Sequence, residues 1–264
     1  MSTQEQADRI RAQVRQRYAD IVRQRGSDCC GSDGCCDDAS SDIEHIQRLG
    51  YSAEEACCVP EGANFSLGCG NPIAIASLQL GETVLDLGSG AGFDCFLAAR
   101  AVGETGRVIG VDMTPDMISR ARENAARGGY ANVEFRLGEI EHLPVADGQI
   151  DLIMSNCVIN LSPDKEAVYA EAFRALKPGG RLAIADTVAT APLPDEVRAD
   201  MASWSACISG SAVIDDIEEM LREAGFVQIR IQPIDESREL VREWTSNSRV
   251  EDYVLSATIT AVKP

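Results

Sequence analysis

From Thr83 onward the chain alternates short apolar runs with helical patterns, and that alternation narrows the fold more than any other feature. TVLDL reads as a buried strand, GSGAGFD as a glycine loop, and CFLAARAV as the helix the loop opens. RVIGVD is the next strand, with a helix over MISRARENAARGG; VEFRL and IDLIMSN continue the strands. A helix is predicted from about Lys165 to Leu176, KPGG is a turn, and RLAIADTV is a further strand. Strands separated by helices cannot pair as hairpins, so the expectation is a parallel, doubly wound α/β sheet of the Rossmann type. FVQIRIQPI and YVLSATITAV are expected to close it as a final pair, after a helix over DDIEEMLREAG that stops at Gly225.

The N-terminal part differs. Residues 5–24 carry Ile10, Val14, Tyr18, Ile21 and Val22 on one helical face. GSDCCGSDGCCDDASSD then reads as a loop, His45 to Ala56 as a short helix, and Pro72 as the first turn of a helix running to about Leu80. The division expected is a helical, Cys-rich extension over 1–61 and a main domain over 62–264, with an inserted segment at about 191–215.

Formal charge is −18, which repels nucleic acid and anionic membrane. No apolar run is long enough to span a bilayer, and the polar N-terminus does not resemble a secretory signal. The expectations are a cytoplasmic location, no nucleic-acid or membrane partner, and a monomer. Two histidines, His45 and His142, leave little room for a histidine base. Ten cysteines are many for a reducing compartment, where thiol or metal chemistry is a better explanation than disulfides; seven of them precede Gly70.

The loop Asp86-Leu-Gly88-Ser89-Gly90-Ala-Gly92 follows a strand and opens a helix, so backbone N–H groups there face a ligand. Asp86 would repel a pyrophosphate and suits a cationic amino group. Asp112 ends the second strand, placed for two ribose hydroxyls. Glu139 follows the third, placed for an adenine amino group beside the Ile140 backbone. Three acids that merely cap helices are the plainer alternative. DLGSGAGFD, VIGVDMT, LGEIEHLP and ALKPGG, from about Gly81 to Ile184, resemble the motif series of class I S-adenosylmethionine methyltransferases. That resemblance implies a seven-stranded, mostly parallel sheet and S-adenosylmethionine as cofactor. Its candidate contacts are Asp86, Gly88, Ser89, Gly90, Gly92, Asp112, Met113, Glu139, Ile140 and Asn156.

Ligands in such sheets bind beyond the carboxyl ends of the strands. The loop after the fourth strand carries Cys157; Cys207 lies in the inserted segment and Cys69 in LGCGNP. Three thiols from three segments suit one soft ion such as trivalent arsenic. Its lone pair could attack a methyl in line with no base needed. The competing reading is three small buried residues, the commonest fate of a free cysteine. Cys95, at the start of a helix, reads as core, and Trp204 as a pocket wall or a packing residue.

SNCVINLSPDK, the W-x-x-C of Trp204 to Cys207, LGCGNP and the ending DYVLSATITAVKP are similar to the arsenite S-adenosylmethionine methyltransferases, from about Gly62 to the C-terminus. The resemblance implies methylation of arsenite or methylarsenite for detoxification, with Cys157 and Cys207 as As(III) ligands. Cys69 then takes part in binding or in a redox step with an N-terminal cysteine, and glutathione or thioredoxin supplies reductant. The family has one key cysteine after the first helix. Here Cys29, Cys30, Cys35, Cys36, Cys57 and Cys58 compete for that place, Cys29 or Cys30 fitting best by distance from Tyr18; a zinc site fits the spacing poorly. Two other functions stay open from the residues alone: methylation of an oxygen, nitrogen or carbon atom of a small metabolite, and a thiol-rich arsenic or metal sensor without turnover.

Overall fold

A computed structural model of the chain describes residues 3–26, 44–194, 197, 204, 207–244 and 252–264. Its centre is a seven-stranded sheet in the order β3-β2-β1-β4-β5-β7-β6. The strands are β1 Thr83–Leu87, β2 Arg107–Asp112, β3 Val133–Leu137, β4 Ile150–Asn156, β5 Leu176–Ala189, β6 Val227–Ile234 and β7 Val254–Val262. β1 to β5 pair in parallel, and β7 runs antiparallel to both neighbours. The expected doubly wound, mostly parallel sheet and its closing strand pair are borne out.

The helices are α1 Thr3–Gly26, α2 Ala53–Cys57, α3 Pro72–Ala76, α4 Phe93–Val102, α5 Pro115–Gly128, α6 Lys165–Ala175, α7 Ile214–Glu223 and α8 Arg238–Glu243. Apolar residues cover both faces of the sheet. Leu85, Ile153 and Ile184 pack with Val168 and Tyr169 of α6 on one side. Val84, Leu152 and Met154 pack with Phe96 of α4 and Ile118 of α5 on the other. Strands buried on both faces have no polar side, which is why they read as unbroken apolar runs.

Three local expectations are corrected. The helix read over 45–56 is two pieces, a short helical stretch at 44–48 and α2. Gly50, at φ +93°, ends the first, and Ser52 starts the second with a capping box to Glu55. α3 stops at Ala76 rather than near Leu80, because Ser77 turns left-handed and Arg181 donates to the carbonyls of Ala76 and Ser77. KPGG lies within β5, where Gly179 and Gly180 exchange backbone hydrogen bonds with Lys263.

α1 lies across the carboxyl ends of the strands. Ile10, Val14, Ala19 and Val22 are buried, each large aliphatic among them worth ~1.5–3 kcal/mol, and Arg23 pairs with Asp116 of α5 at 3.0 Å. Among the described residues no helix is long and apolar enough to cross a membrane.

Candidate active site

One cavity runs beneath α1, along the ends of β1, β2 and β4, and its wall includes Asp86, Gly88, Asp112, Ile140, Asn156 and Cys157. Asp86 is a buried residue near the end of β1, and Asp94 stands on the first turn of α4. Burial raises the pKa of both, that of Asp94 to about 6, and Asp94 and then Asp112 add repulsion at Asp86. Burial raises Asp112 as well, against hydrogen bonds from the Thr114 and Gly90 N–H groups. Among the described residues none of the three acids is paired with a cation. Asp86 accepts from the Cys95 thiol at 3.1 Å, and Asp94 from the Tyr51 hydroxyl at 2.6 Å and Asn156 Nδ2 at 3.1 Å. Buried acids of like charge without a counterion favour a cationic ligand.

Glycine is needed where the backbone meets that ligand. Gly88 has φ +69°, and a Cβ there would lie 2.5 Å from Val158 Cγ2. Ser89 is buried with its Oγ unpartnered, a free polar group beside the cavity.

The thiols lie at the same end of the sheet. Cys157 follows β4 with φ +57° and Cys207 has φ +63°, left-handed conformations that cost cysteine of order 1–3 kcal/mol and collect at functional sites. The turn after Cys157 is held by Asp186 of β5, which accepts from the N–H groups of Ile159 and Asn160 and from Asn160 Nδ2. Cys69 is set by Asn156, whose Oδ1 accepts from the Cys69 N–H at 3.0 Å. Cys69 Sγ, Cys157 Sγ and a carboxylate oxygen of Asp186 lie within 4.8 Å of one another. The Cys207 thiol hydrogen-bonds with that of Cys157, and its Sγ is 3.6 Å from the Cys157 carbonyl. All three cysteines are buried in one apolar cluster with Ile10, Val14 and Leu161.

Burial pushes the Cys69 thiol up to about 11 and that of Cys157 upward too; the contact with Cys157, then burial, raises Cys207. At neutral pH the three are protonated thiols until a soft acceptor takes their sulfurs. The packed thiol cluster beside Asp186 thus adjoins the acid-lined cavity, and Cys157, in the turn after Asn156, belongs to both.

The structure brings together Cys69, Cys157 and Cys207, and around the cavity Asp86, Gly88, Ser89, Gly90, Asp112, Met113, Ile140 and Asn156. Gly92, at φ +100°, begins α4, with Phe96 and Phe135 rings 2.7 Å from a built Cβ. Glu139 is placed differently from the expectation of a cavity acid: Arg15 and Arg11 of α1 hold its carboxylate, and Glu141 lines the cavity instead. Cys57 is exposed and Cys58 half-buried, and Cys95 is fully buried as expected of core. Cys29, Cys30, Cys35 and Cys36 lie outside the described residues. Sequence reasoning missed Tyr51, Asp94, Asp186 and Tyr18. Asp94 alone had a local signal, the acid closing GSGAGFD.

The sheet order, glycine loop and acid-lined cavity define a class I S-adenosylmethionine-dependent methyltransferase. The Methyltransferase domain family matches residues 78–225. Arsenite methyltransferases are similar over most of the chain: that of Halobacterium salinarum is 52% identical over 97% of this chain. The enzyme of Aquipseudomonas alcaligenes is 43% identical over 83%, and that of Homo sapiens 34% over 82%. An arsenic(III) S-adenosylmethionine methyltransferase from Chlamydomonas reinhardtii superimposes with a TM-score of 0.62 at 33% identity, covering 85% of this chain and 72% of that one. The chain belongs to the arsenite methyltransferase family. It spans 67% of the length of the first of these curated relatives, and 64% and 58% of the other two.

Proposed function

We propose that this chain transfers a methyl group from S-adenosylmethionine to trivalent arsenic held by Cys69, Cys157 and Cys207. The observation that carries the reading is the convergence of those thiols, from three separate segments, beside a cavity whose buried acids want a cation. Asp86, with Asp94 behind it, would hold the amino acid end of the cofactor, Asp112 the ribose, and the Ile140 backbone the adenine. Gly88, Ser89, Gly90, Gly92, Met113 and Asn156 complete that cradle. S-adenosylmethionine supplies an electrophilic methyl, and the arsenic lone pair is the nucleophile for it.

The chain's residues do the remaining work. Each thiol gives its proton to a hydroxide leaving arsenic, so three sulfur–arsenic bonds replace three oxygen–arsenic bonds and water departs. The Asp186 carboxylate holds Cys157 in its left-handed turn. The apolar wall of Ile10, Val14 and Leu161 excludes water from the bound ion. No proton is removed from the nucleophile, which suits a site whose wall, among the described residues, contains no histidine.

The wider reading places the extension at 1–61 and the catalytic domain at 62–264, in a cytoplasmic monomer that uses glutathione or thioredoxin to return arsenic to the trivalent state. Cys29 or Cys30 would partner Cys69 in that step. The test is transfer of labelled methyl to arsenite, with thiol reductant, by wild type and Cys157→Ser. The expected result is methylated arsenic from wild type and at least a hundredfold less from the variant, with S-adenosylhomocysteine binding retained. Activity of Cys157→Ser near the wild-type level overturns the ligand assignment. A wild type that binds cofactor yet ignores arsenite points to a metabolite acceptor or to a sensor.

A further inference from the structure

α1 touches both the acid-lined cavity and the thiol cluster. Arg11, Val14 and Tyr18, spaced three and four residues apart and so on one helical face, line the cavity. At the adenosine end, Arg11 Nε and Nη2 each lie 3.2 Å from Glu141 Oε1, and Arg15 Nη2 lies 3.1 Å from Glu139 Oε1. The Glu141 side chain is only 5% exposed and also accepts from Ser162 Oγ at 2.7 Å. A carboxylate so buried is costly without a cation, and Arg11 supplies it from another part of the chain. At the thiol end, the Tyr18 hydroxyl lies 4.0 Å from Cys207 Sγ, and Ile10 and Val14 pack in the cluster that contains the three cysteines.

We propose that Arg11 and Arg15 are positioning residues for the cofactor's adenosine, acting through Glu141 and Glu139, and that α1 links cofactor occupancy to As(III) affinity through Tyr18. The inference rests on the cavity being that of S-adenosylmethionine and the thiol cluster that of arsenic. A ligand in the cavity meets α1 from within and favours the docked helix. The docked helix in turn completes the wall around Cys207. Two sites that stabilise one docked state raise each other's affinity by the same factor.

Three measurements on the full chain test this. Hydrogen exchange over residues 3–26 is expected to slow when S-adenosylhomocysteine binds the wild type. Calorimetry is expected to show affinity for S-adenosylhomocysteine about tenfold weaker in Arg11→Met/Arg15→Met, about 1.4 kcal/mol. Arg15→Lys, which keeps the single contact to Glu139, should stay near wild type. Third, As(III) affinity is expected to rise about fivefold or more with S-adenosylhomocysteine in wild type and to rise less in the double variant. Unchanged exchange in α1, or equal S-adenosylhomocysteine affinity in wild type and the double variant, overturns the proposal. An equal As(III) gain in both proteins overturns the link. A wild type that binds no As(III) also overturns the link and refutes the substrate assignment, while the first two measurements still decide the role of the arginines.

Discussion

Asp94 shows how single residues in this site are set by what surrounds them. Its carboxyl is buried, accepts from Tyr51 and Asn156, and has a pKa raised to about 6 from an ordinary 3.8. A folded-state pKa above the unfolded one means the ligand-free fold holds the proton more tightly than the unfolded chain. Its contribution to stability is therefore present below pH 3.8 and lost as pH rises through about 6. A cationic ligand nearby reverses the preference, because the ionised carboxylate then has a partner. Cofactor affinity should therefore rise by roughly fourfold between pH 5.5 and 7.5, with proton release at the lower pH. Calorimetry in two buffers of different ionisation heat measures both. Asp94→Asn should remove the proton release and weaken binding at pH 7.5; a variant that still releases the proton would move the titration to Asp86, whose pKa is also raised.

At the scale of elements, the segment that carries Cys207 is docked on the turn that carries Cys157. Trp204 Nε1 donates to the Leu161 carbonyl at 3.1 Å, and Thr187 Oγ1 and Ser211 Oγ donate to the Cys207 carbonyl. Gly210 passes so close that a built Cβ would stand 2.0 Å from the Asn160 carbonyl oxygen, a backbone atom that no rotamer change moves. Gly210→Ala should separate the two segments and weaken As(III) binding more than tenfold. Cofactor affinity should stay within about twofold, since among the described residues neither Trp204 nor residues 207–211 line the cofactor cavity. Equal arsenic affinity in Gly210→Ala would mean Cys207 is no ligand. This docking had no pattern in the sequence, whereas the strand–loop–helix units did. The acids Asp86 and Asp112 were legible because each sits at a fixed place after its strand. The pairing of Arg11 and Arg15 with residues some 125 positions away leaves no local trace. Glu139 and Glu141, two residues apart in one loop, both pair with guanidinium groups of α1, and of the two it is Glu141 that lines the cavity. Likewise α3 ends early because Arg181, from β5, caps its carbonyls.

Across the whole molecule two electrostatic effects oppose each other, and their balance differs between the domain and α1. A formal charge of −18 works against the compact state through self-repulsion. Salt relieves this, as screening shortens from about 10 Å at 0.1 M to about 3 Å at 1 M. The pairs that dock α1 are of the opposite kind. Arg15–Glu139 and Arg23–Asp116 join side chains between 29% and 59% exposed, and such exposed pairs weaken with salt. The sheet carries exposed pairs of its own, among them Arg107–Glu134 and Lys177–Asp151, but two buried apolar faces hold it, so there the relief of repulsion dominates. Raising sodium chloride from about 0.1 M to about 1 M should therefore raise the melting temperature of the domain while hydrogen exchange in α1 becomes faster. If α1 were held by its apolar face alone, its exchange would slow together with that of the strands. A melting temperature that falls with salt would mean instead that specific ion pairs, such as Arg181–Glu82 at 2.6 Å, outweigh the net charge in holding this fold together.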